Sequence, residues 1–341
     1  MSERTNRQWR LAKRPSGMVG EQNFEFVSEP APEIGDGEYL IRVLYVSFDP
    51  AMRGWMEDRP SYMPPVQIGE VMRAGAVGEV IESKNPDYPV GTKVQGMFGW
   101  QEYAVGGRGL SQGQRIPEGT PLTWPLGVVG ITGLTAYFGL LDLGEPKEGQ
   151  TVLVSGAAGA TGSVAAQIAK LKGCRVVGIA GGPEKCGWLT GTAGLDAAID
   201  YKSEDVQARI AELCPDGVNV FFDNVGGDIL EAALANIAQN ARVVLCGGIS
   251  GYNDDEPAPG PRNLMNLVIQ RARMEGFIVI DYASRFGEAA SELAGWVSEG
   301  KIVHQEDVQE GIENAPRTFQ RLFRGENTGK QLLKVADPET S

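Results

Sequence analysis

The sequence is poor in the side chains that bind transition metals and in those that serve as imidazole bases. It contains one histidine, His304, and four cysteines, none of them in Cys-x-x-Cys spacing. Zinc sites need three or four ligands, drawn mainly from His, Cys, Asp and Glu in recognisable clusters. We therefore expect no bound metal and no Ser-His-Asp chemistry. The cysteines are interpreted as small, reduced residues that fill the core of a cytoplasmic protein.

The chain also lacks an excess of positive charge and a long apolar run. With 31 basic and 44 acidic residues its net charge is −13, which argues against nucleic acid and anionic membranes as partners. The N-terminal residues are charged and contain no apolar segment typical of a signal peptide. The uncharged stretch Pro121–Leu141 is too rich in Gly and Thr to span a membrane, and we interpret it as a helical crossover between domains.

What the sequence does contain is a dinucleotide-binding unit. Thr151–Ser155 is a short apolar run typical of a buried strand, and glycines follow at three-residue spacing as Gly156, Gly159 and Gly162. A helical pattern over Ser163–Lys172 and a second apolar strand, Arg175–Ala180, complete the unit. In this context the glycines let the backbone approach a pyrophosphate, whose charge is met at the start of the helix.

The residues after the second strand indicate which dinucleotide is bound. NAD-binding units usually place Asp or Glu there to hold the ribose 2′-hydroxyl. This chain has Gly181 and Gly182 instead, and Lys185 follows shortly after them. A missing carboxylate with a cation nearby favours a 2′-phosphate, although Glu184 weakens the charge argument. We therefore predict NADPH as the cofactor.

The strand and helix pattern continues to about residue 300 and predicts an α/β fold with a doubly wound parallel sheet. Ligands bind outside the carboxyl ends of the strands in such sheets. The further predicted strands are Ala197–Tyr201, Val218–Asp223, Ala241–Cys246 and Met274–Ile280, and the predicted helices are Glu204–Leu213, Asp228–Ile237, Asn263–Arg273 and Phe286–Glu299.

The remainder of the chain has short strands punctuated by Gly and Pro, which indicates a small barrel rather than further α/β units. Strands are predicted within Glu38–Ser47, Gly69–Glu82 and Gly91–Val105, and Lys301–Val303 and Gln331–Val335 resemble them. The predicted domains are 1–126 with 301–341, and 127–300. The segment 49–65 between the strands is rich in Pro, Met and aromatic residues. Its side chains line either an apolar substrate cleft or a small core that closes the barrel: Met52, Trp55, Tyr62 and Met63.

Several motifs in one order resemble the zinc-free medium-chain dehydrogenase/reductases, in particular the prostaglandin reductase, curcumin reductase and alkenal double-bond reductase group. The motifs are SFDPAMRGWM (47–56), GITGLTAYFGLL (130–141), GAAGATGSVAAQIAKLKGCRVVGIAG (156–181), FDNVGG (222–227), CGGISGYN (246–253), RMEGF (273–277) and GENTGK (325–330). The resemblance implies a GroES-like small β-barrel catalytic domain beside a Rossmann domain, and a homodimer. It also implies NADPH-dependent reduction of the carbon–carbon double bond of α,β-unsaturated ketones and aldehydes.

Carried over motif by motif, the resemblance implies a set of cofactor contacts. The pyrophosphate contacts are Gly159, Ala160, Thr161 and Gly162, and the 2′-phosphate contacts are Lys185 and Tyr201. Thr135 lies near the nicotinamide, and the remaining contacts are Asn224, Cys246, Gly247, Gly248, Ile249, Ser250, Gly251, Tyr252, Phe277, Ile278, Val279 and Asn327.

This chain departs from some relatives in one position of the first motif. Ala51 stands where they have a tyrosine considered a hydrogen-bond donor to the substrate. Tyr252 is then the first candidate for the catalytic phenol and Tyr62 the second, while packing on the cofactor is an alternative role for Tyr252. Reduction of quinones is an alternative activity, and NADPH binding without turnover is a second alternative.

Overall fold

The computed structural model of the protein describes residues 4–256 and 259–338. The chain divides into two compact units. One unit comprises the residues up to Gly127 and those from Glu306 onward, and the other comprises Val128–Gln305. The assignment of the two parts as catalytic and cofactor-binding domains stays a prediction.

The strands and helices are numbered in chain order. The strands are β1 (Thr5–Leu11), β2 (Phe24–Pro30), β3 (Tyr39–Ser47), β4 (Ala76–Ser83), β5 (Lys93–Gly96), β6 (Tyr103–Gly106), β7 (Gln114–Arg115), β8 (Thr151–Ser155), β9 (Arg175–Ala180), β10 (Ala197–Asp200), β11 (Val218–Asp223), β12 (Ile237–Leu245), β13 (Arg273–Gly276), β14 (Glu306–Glu310) and β15 (Lys330–Lys334). The helices are α1 (Met52–Trp55), α2 (Ile131–Phe138), α3 (Ala160–Leu171), α4 (Pro183–Gly191), α5 (Val206–Leu213), α6 (Gly227–Leu234), α7 (Met265–Ile269), α8 (Phe286–Ser298) and α9 (Ala315–Arg324).

The unit of residues 128–305 is built on a six-stranded sheet in the order β10-β9-β8-β11-β12-β13, with every pairing parallel. The chain leaves β8 toward β9 on one side and later returns to pair β11 on the other. The strand order therefore reverses at β8, the point where doubly wound sheets bind ligands. The predicted α/β fold with a parallel, doubly wound sheet is confirmed.

The core of this unit explains why its strands could be recognised. Val152, Leu153 and Val154 in β8 have no exposed surface, as expected for a strand covered by helices on both faces. Helix α3 packs closely because its core-facing side is made of small residues, including Ala165, Ala166 and Ala169, all fully buried.

The other unit is the predicted separate β domain, and its sheet is mainly antiparallel; its closure into a small barrel stays a prediction. Its seven strands follow the path β14-β15-β3-β4-β5-β7, with β6 also pairing β3, and β1 and β2 form a two-stranded hairpin. Trp100 is fully buried at the centre of its core. The indole lies 4.9 Å from the ring of Phe24, 5.1 Å from that of Phe48 and 5.6 Å from that of Phe319.

Three predicted elements between residues 263 and 303 are wrong, two of them in extent and one in kind. The predicted strand Met274–Ile280 ends at Gly276, and a 3-10 helix, Val279–Arg285, follows it. The predicted helix Asn263–Arg273 contains only α7. The predicted strand Lys301–Val303 is absent from the described structure, because the backbone N–H groups of Lys301 and Ile302 cap helix α8 by donating to the carbonyl of Trp296 at 2.8 and 3.2 Å. Apolar side chains alone do not distinguish these possibilities.

Within the described residues, none of the helices combines the length and apolar character needed to cross a membrane.

Candidate active site

The glycine-rich turn joins β8 to α3. Gly156 has φ +57° and Gly159 is the N-cap of the helix, so Ala160, Thr161 and Gly162 form its first turn. The first N–H groups of an α-helix have no partner within the helix and carry its positive dipole end. A Cβ on Gly162 would lie 2.3 Å from the carbonyl oxygen of Gly156. The turn therefore has the tight, donor-rich form that a pyrophosphate requires.

A buried carboxylate organises the sheet at the same point. Asp223, at the end of β11, is fully buried and accepts hydrogen bonds from Ser155 Oγ (2.6 Å), Val225 N (3.0 Å) and Gly226 N (3.1 Å). Burial raises the pKa of the Asp223 carboxyl above its ordinary value, while these hydrogen bonds oppose the rise. Asn224 completes the junction, since its side-chain amide donates to the carbonyl of Ser155 at 2.7 Å.

The predicted contact segment 246–252 lies against this junction. The backbone N–H groups of Cys246 and Gly247 both donate to the carbonyl of Asp223, at 2.8 and 3.1 Å. Ser250 is fixed by two bonds to the carbonyl of Val225, from its backbone N–H at 3.1 Å and its hydroxyl at 2.6 Å. Burial raises the pKa of the Cys246 thiol to about 12, so Cys246 stays protonated at neutral pH.

Tyr252 folds back over its own segment. Its phenol oxygen accepts a hydrogen bond from the backbone N–H of Gly248 at 3.2 Å. A phenol oxygen that accepts such a bond still carries its proton. The structure thus brings Gly159–Gly162, Asn224 and the segment 246–252 to one edge of the sheet.

The other predicted cofactor residues of this unit lie on the adjoining elements. Lys185 lies in the first turn of α4, and Tyr201 follows β10 with 45% of its surface exposed. Phe277 follows β13 and packs so closely on Gly139 that a Cβ there would lie 2.4 Å from its ring. Thr135 lies in α2, where its hydroxyl donates to the carbonyl of Ile131 at 2.6 Å. Ile278 and Val279 continue from Phe277 into the 3-10 helix.

Four predicted residues of the sheet domain differ in their access to solvent. Met52 is fully buried, and Trp55 and Met63 are each only 7% exposed, all within the domain core. Tyr62 is 47% exposed and accepts a hydrogen bond from Trp55 Nε1 at 2.9 Å. In this conformation Met52 is part of the core of the sheet domain, which agrees with the second of the two interpretations given for the segment 49–65. The substrate role of this set stays a prediction.

Asn327, the last predicted cofactor contact, lies between α9 and β15. Its side-chain amide donates to the carbonyl of Gly329 at 2.9 Å, which shapes the tight turn leading into the strand. The cofactor role of Asn327 stays a prediction.

Sequence reasoning missed three residues that shape the candidate site, namely Ser155, Asp223 and Lys202. Asp223 is part of the FDNVGG motif, and an acidic residue at the end of an apolar strand is a sequence signal that could identify it. Ser155 carried no comparable signal. Lys202 lies beside Gly181, where a Cβ would be 2.9 Å from its Cε, although the two residues are far apart in sequence.

The described residues contain no group of three or more His, Cys, Asp or Glu side chains able to hold a metal ion. All four cysteines are free thiols. The predicted independence from metal stays a prediction that elemental analysis and chelation can check.

The chain resembles known oxidoreductases in both sequence and structure. Residues 7–112 match the family described as the N-terminal domain of oxidoreductase, and residues 160–295 match the family described as zinc-binding dehydrogenase. The chain is 44% identical over 337 residues to the NADPH-dependent curcumin reductase of Escherichia coli (strain K12), covering 97% of each. It is 40% identical over 337 residues to prostaglandin reductase 1 of Bos taurus, covering 96% of this chain and 98% of the relative. The crystal structure of CurA in complex with NADPH from Vibrio vulnificus superposes with a TM-score of 0.92 at 42% identity, covering 97% of this chain and 100% of CurA.

Proposed function

The chain belongs to the medium-chain dehydrogenase/reductase family of oxidoreductases, and we propose that it uses NADPH to reduce the carbon–carbon double bond of α,β-unsaturated ketones and aldehydes. The relatives named for curcumin and prostaglandin reduction support this substrate class. The observation that carries the proposal is the glycine-rich turn at the reversal of the strand order, beside a second strand, β9, that is followed by Gly181 instead of an acid.

The residues present fit NADPH on two counts. Gly162 gives the first turn of α3 the close backbone approach that a pyrophosphate needs. Gly181 offers no carboxylate to a ribose 2′-hydroxyl, and Tyr201 and Lys202 lie across it. Gly159–Gly162 would hold the pyrophosphate, and Lys185 and Tyr201 would hold the 2′-phosphate.

NADPH supplies a hydride, which in this reaction goes to the β-carbon of the substrate and leaves negative charge on the carbonyl oxygen. The protein must then donate a hydrogen bond to that oxygen and allow a proton to reach the α-carbon. The candidates for this hydrogen-bond donor are the phenols of Tyr252 and Tyr62. Tyr62 accepts from the indole of Trp55, which can only donate, so this bond leaves the Tyr62 proton available for a substrate. Burial raises the pKa of Tyr62, which keeps it protonated at neutral pH.

The direct test is anaerobic incubation of the protein with NADPH and an enone, followed by product mass. The expected product is heavier than the enone by two hydrogens, and NADPH labelled with deuterium at the transferred position places one label on the β-carbon. Reduction of quinones but not of enones would support the alternative oxidoreductase activity. No oxidation of NADPH with any of these substrates would overturn the proposal.

Replacing each candidate phenol separately is expected to identify the donor. If Tyr252 stabilises the developing oxyanion, Tyr252→Phe should lower kcat about tenfold, because removing one such donor costs ~2.7–4 kcal/mol when it acts alone and less when it is shared. Tyr62→Phe is the matched control with the same loss of one hydroxyl. Steady-state kinetics with deuterated NADPH establishes that chemistry limits the rate. An unchanged kcat in Tyr252→Phe with a reduced kcat in Tyr62→Phe would transfer the role to Tyr62, and no effect in either variant would leave solvent as the donor.

The charge of Lys185 is expected to favour NADPH over NADH. Lys185→Ala should raise KM for NADPH about tenfold and leave KM for NADH nearly unchanged, since a hydrogen bond to a charged group contributes ~1.5–3 kcal/mol, less at an accessible site. Glu184→Gln is the control, because it removes the neighbouring charge of opposite sign. Equal use of NADPH and NADH by the wild-type protein would contradict the cofactor assignment.

The homodimer is supported by an apolar surface at the edge of the parallel sheet. Within the described residues β13 pairs only with β12, which leaves its outer edge unpaired. Helix α7 and the residue before it expose a group of apolar side chains, at 44 to 65% of their surface: Leu264, Met265, Val268 and Ile269. Exposed apolar patches and open strand edges are typical of association surfaces. Val268→Asp is expected to produce monomers in sedimentation analysis, whereas a wild-type monomer would contradict the homodimer.

A further inference from the structure

Gly181 leaves a space just after β9, and two side chains from the segment that follows β10 occupy it. A Cβ built on Gly181 would lie 2.8 Å from Cε1 of Tyr201 and 2.9 Å from Cε of Lys202. Both distances are shorter than real Cβ contacts, so the phenol ring and the lysine stem lie directly across the glycine. The place where NAD-binding units carry an acid is therefore filled by an aromatic ring and a cation.

One side-chain carboxylate, that of Asp200, holds this arrangement together. Asp200, the last residue of β10, accepts hydrogen bonds from Gly182 N at 2.8 Å, Lys202 N at 3.0 Å and Ser203 Oγ at 2.9 Å. The backbone N–H groups of Gly182 and Lys202 lower the pKa of Asp200, so it is ionised at neutral pH. Gly182 itself has φ +93°, a conformation that favours glycine. The turn after β9 and the segment after β10 are thus linked to one another.

The ammonium of Lys202 is available for a ligand. Among the residues that the structure describes, Lys202 makes no ion pair, and its side chain is exposed. Lys170 of the same unit, by contrast, is paired with Asp196 at 2.8 Å. Lys202 interacts electrostatically with the carboxylate of Asp200, and that carboxylate already accepts backbone hydrogen bonds from Gly182 and Lys202. A phosphate on a ribose held over Gly181 would meet a cation there.

We propose that Lys202 is a specificity-determining residue that contacts the 2′-phosphate, and that Gly181 selects NADPH chiefly by giving Lys202 and Tyr201 room to lie across the turn. This inference rests on the proposed use of NADPH. It places a second cation, in addition to Lys185, at the 2′-phosphate. It also gives Gly181 a steric role in addition to its lack of a carboxylate. The phosphate dianion and an ammonium form a charge-assisted contact whose strength depends on position rather than on orientation.

The test uses two probes that lack the nicotinamide, so that binding is measured without turnover. Isothermal titration calorimetry compares 2′,5′-ADP with 5′-ADP on the full-length protein. Lys202→Gln is expected to weaken 2′,5′-ADP binding roughly fivefold to tenfold, as for one charge-assisted contact at an accessible site, and to change 5′-ADP binding less than twofold. Lys172→Gln is the matched control, since Lys172 follows α3, at the opposite end of that helix from the glycine-rich turn, and the substitution makes the same change in net charge.

A second substitution separates space from charge. Gly181→Ala keeps every charge but fills the gap, and it is expected to weaken 2′,5′-ADP binding by a factor similar to that of Lys202→Gln. In the double variant Gly181→Ala/Lys202→Gln the two losses of 2′,5′-ADP affinity should not multiply. The alanine would then displace a glutamine, which carries no charge to lose. Thermal melting of each variant verifies that the fold is retained.

Lys202→Gln with unchanged discrimination between the probes would overturn the role of Lys202, and fully multiplicative effects in the double variant would overturn the steric role of Gly181. If the wild-type protein does not distinguish 2′,5′-ADP from 5′-ADP, the proposed NADPH preference fails instead, so the two failures are distinguishable.

Discussion

Replacing Gly162 with alanine is expected to weaken NADPH binding about a hundredfold or more. The added Cβ would lie 2.3 Å from the carbonyl oxygen and 2.9 Å from the carbonyl carbon of Gly156, both backbone atoms that cannot rotate away. The turn must therefore open, and the first N–H groups of α3 lose their common direction. Losing two charge-assisted hydrogen bonds at ~1.5 kcal/mol each is enough for this factor.

Two glycine variants serve as graded controls. Gly159→Ala meets the same carbonyl oxygen at 3.2 Å, a tight contact that a small shift relieves, so a smaller loss of affinity is expected. Gly295→Ala in α8 has no atom within 4 Å of its Cβ and should bind NADPH normally, with a slight gain in stability from the better helix former. Equilibrium binding followed by NADPH fluorescence measures the series. Wild-type affinity in a folded Gly162→Ala variant would show that the pyrophosphate binds elsewhere.

The parts of the site that could be predicted are those encoded within one stretch of sequence. The glycine spacing from Gly156 to Gly162 follows directly after an apolar strand, and the missing acid at Gly181 is visible from the sequence alone. Both features depend on local backbone geometry, for which neighbouring residues carry the information.

The parts that could not be predicted depend on which strands lie side by side. Asp200 pairs with Ala180 in the parallel register of β10 and β9, and this register alone brings Tyr201 and Lys202 over Gly181. Ser155 and Asp223 likewise meet only because β8 and β11 are neighbours. Sequence pattern predicts that strands exist, but register and order depend on tertiary packing.

Met52 illustrates a different limit. An apolar side chain next to Pro and aromatic residues is equally suited to a ligand cleft and to a core, because burial of apolar surface stabilises both. Only the structure distinguishes them, and Met52 has no exposed surface. Exposure is a related limit at α7, where Met265, Val268 and Ile269 are apolar but exposed, so their spacing alone does not predict a buried face.

The second large effect is expected at a buried ion pair in the sheet domain. The ammonium of Lys330 in β15 pairs with Asp49 Oδ1 and donates to the carbonyl of Phe48 at 3.1 Å. The side chain of Lys330 is only 4% exposed and that of Asp49 18%. The second oxygen of Asp49 accepts from Ser47 Oγ at 2.6 Å. The pair therefore fixes the chain where it leaves β3 and enters the segment 49–65.

Lys330→Met is expected to lower the free energy of unfolding by ~3 kcal/mol, because it leaves the carboxylate of Asp49 buried without its cation. Lys334→Met is the matched control in the same strand, since Lys334 pairs at 2.7 Å with Asp337, whose side chain is 79% exposed. A pair of that kind contributes ~0–1 kcal/mol. Denaturant unfolding followed by tryptophan fluorescence measures both variants, and Trp9 and Trp100 report on the core of this domain.

A double variant separates the ion pair from simple packing. Adding Asp49→Leu to Lys330→Met removes the stranded carboxylate, so part of the lost stability should return, as when a buried pair is replaced by apolar residues. If the double variant is no more stable than Lys330→Met, the effect lies in packing and not in charge. Because Asp49 begins the segment that carries Trp55 and Tyr62, Lys330→Met should also raise KM for an enone while the affinity for NADPH stays close to that of the wild type. A loss of NADPH affinity equal to the loss of enone affinity would instead indicate an effect beyond the segment 49–65, either on Asn327 in the turn before Lys330 or on the fold of both compact units.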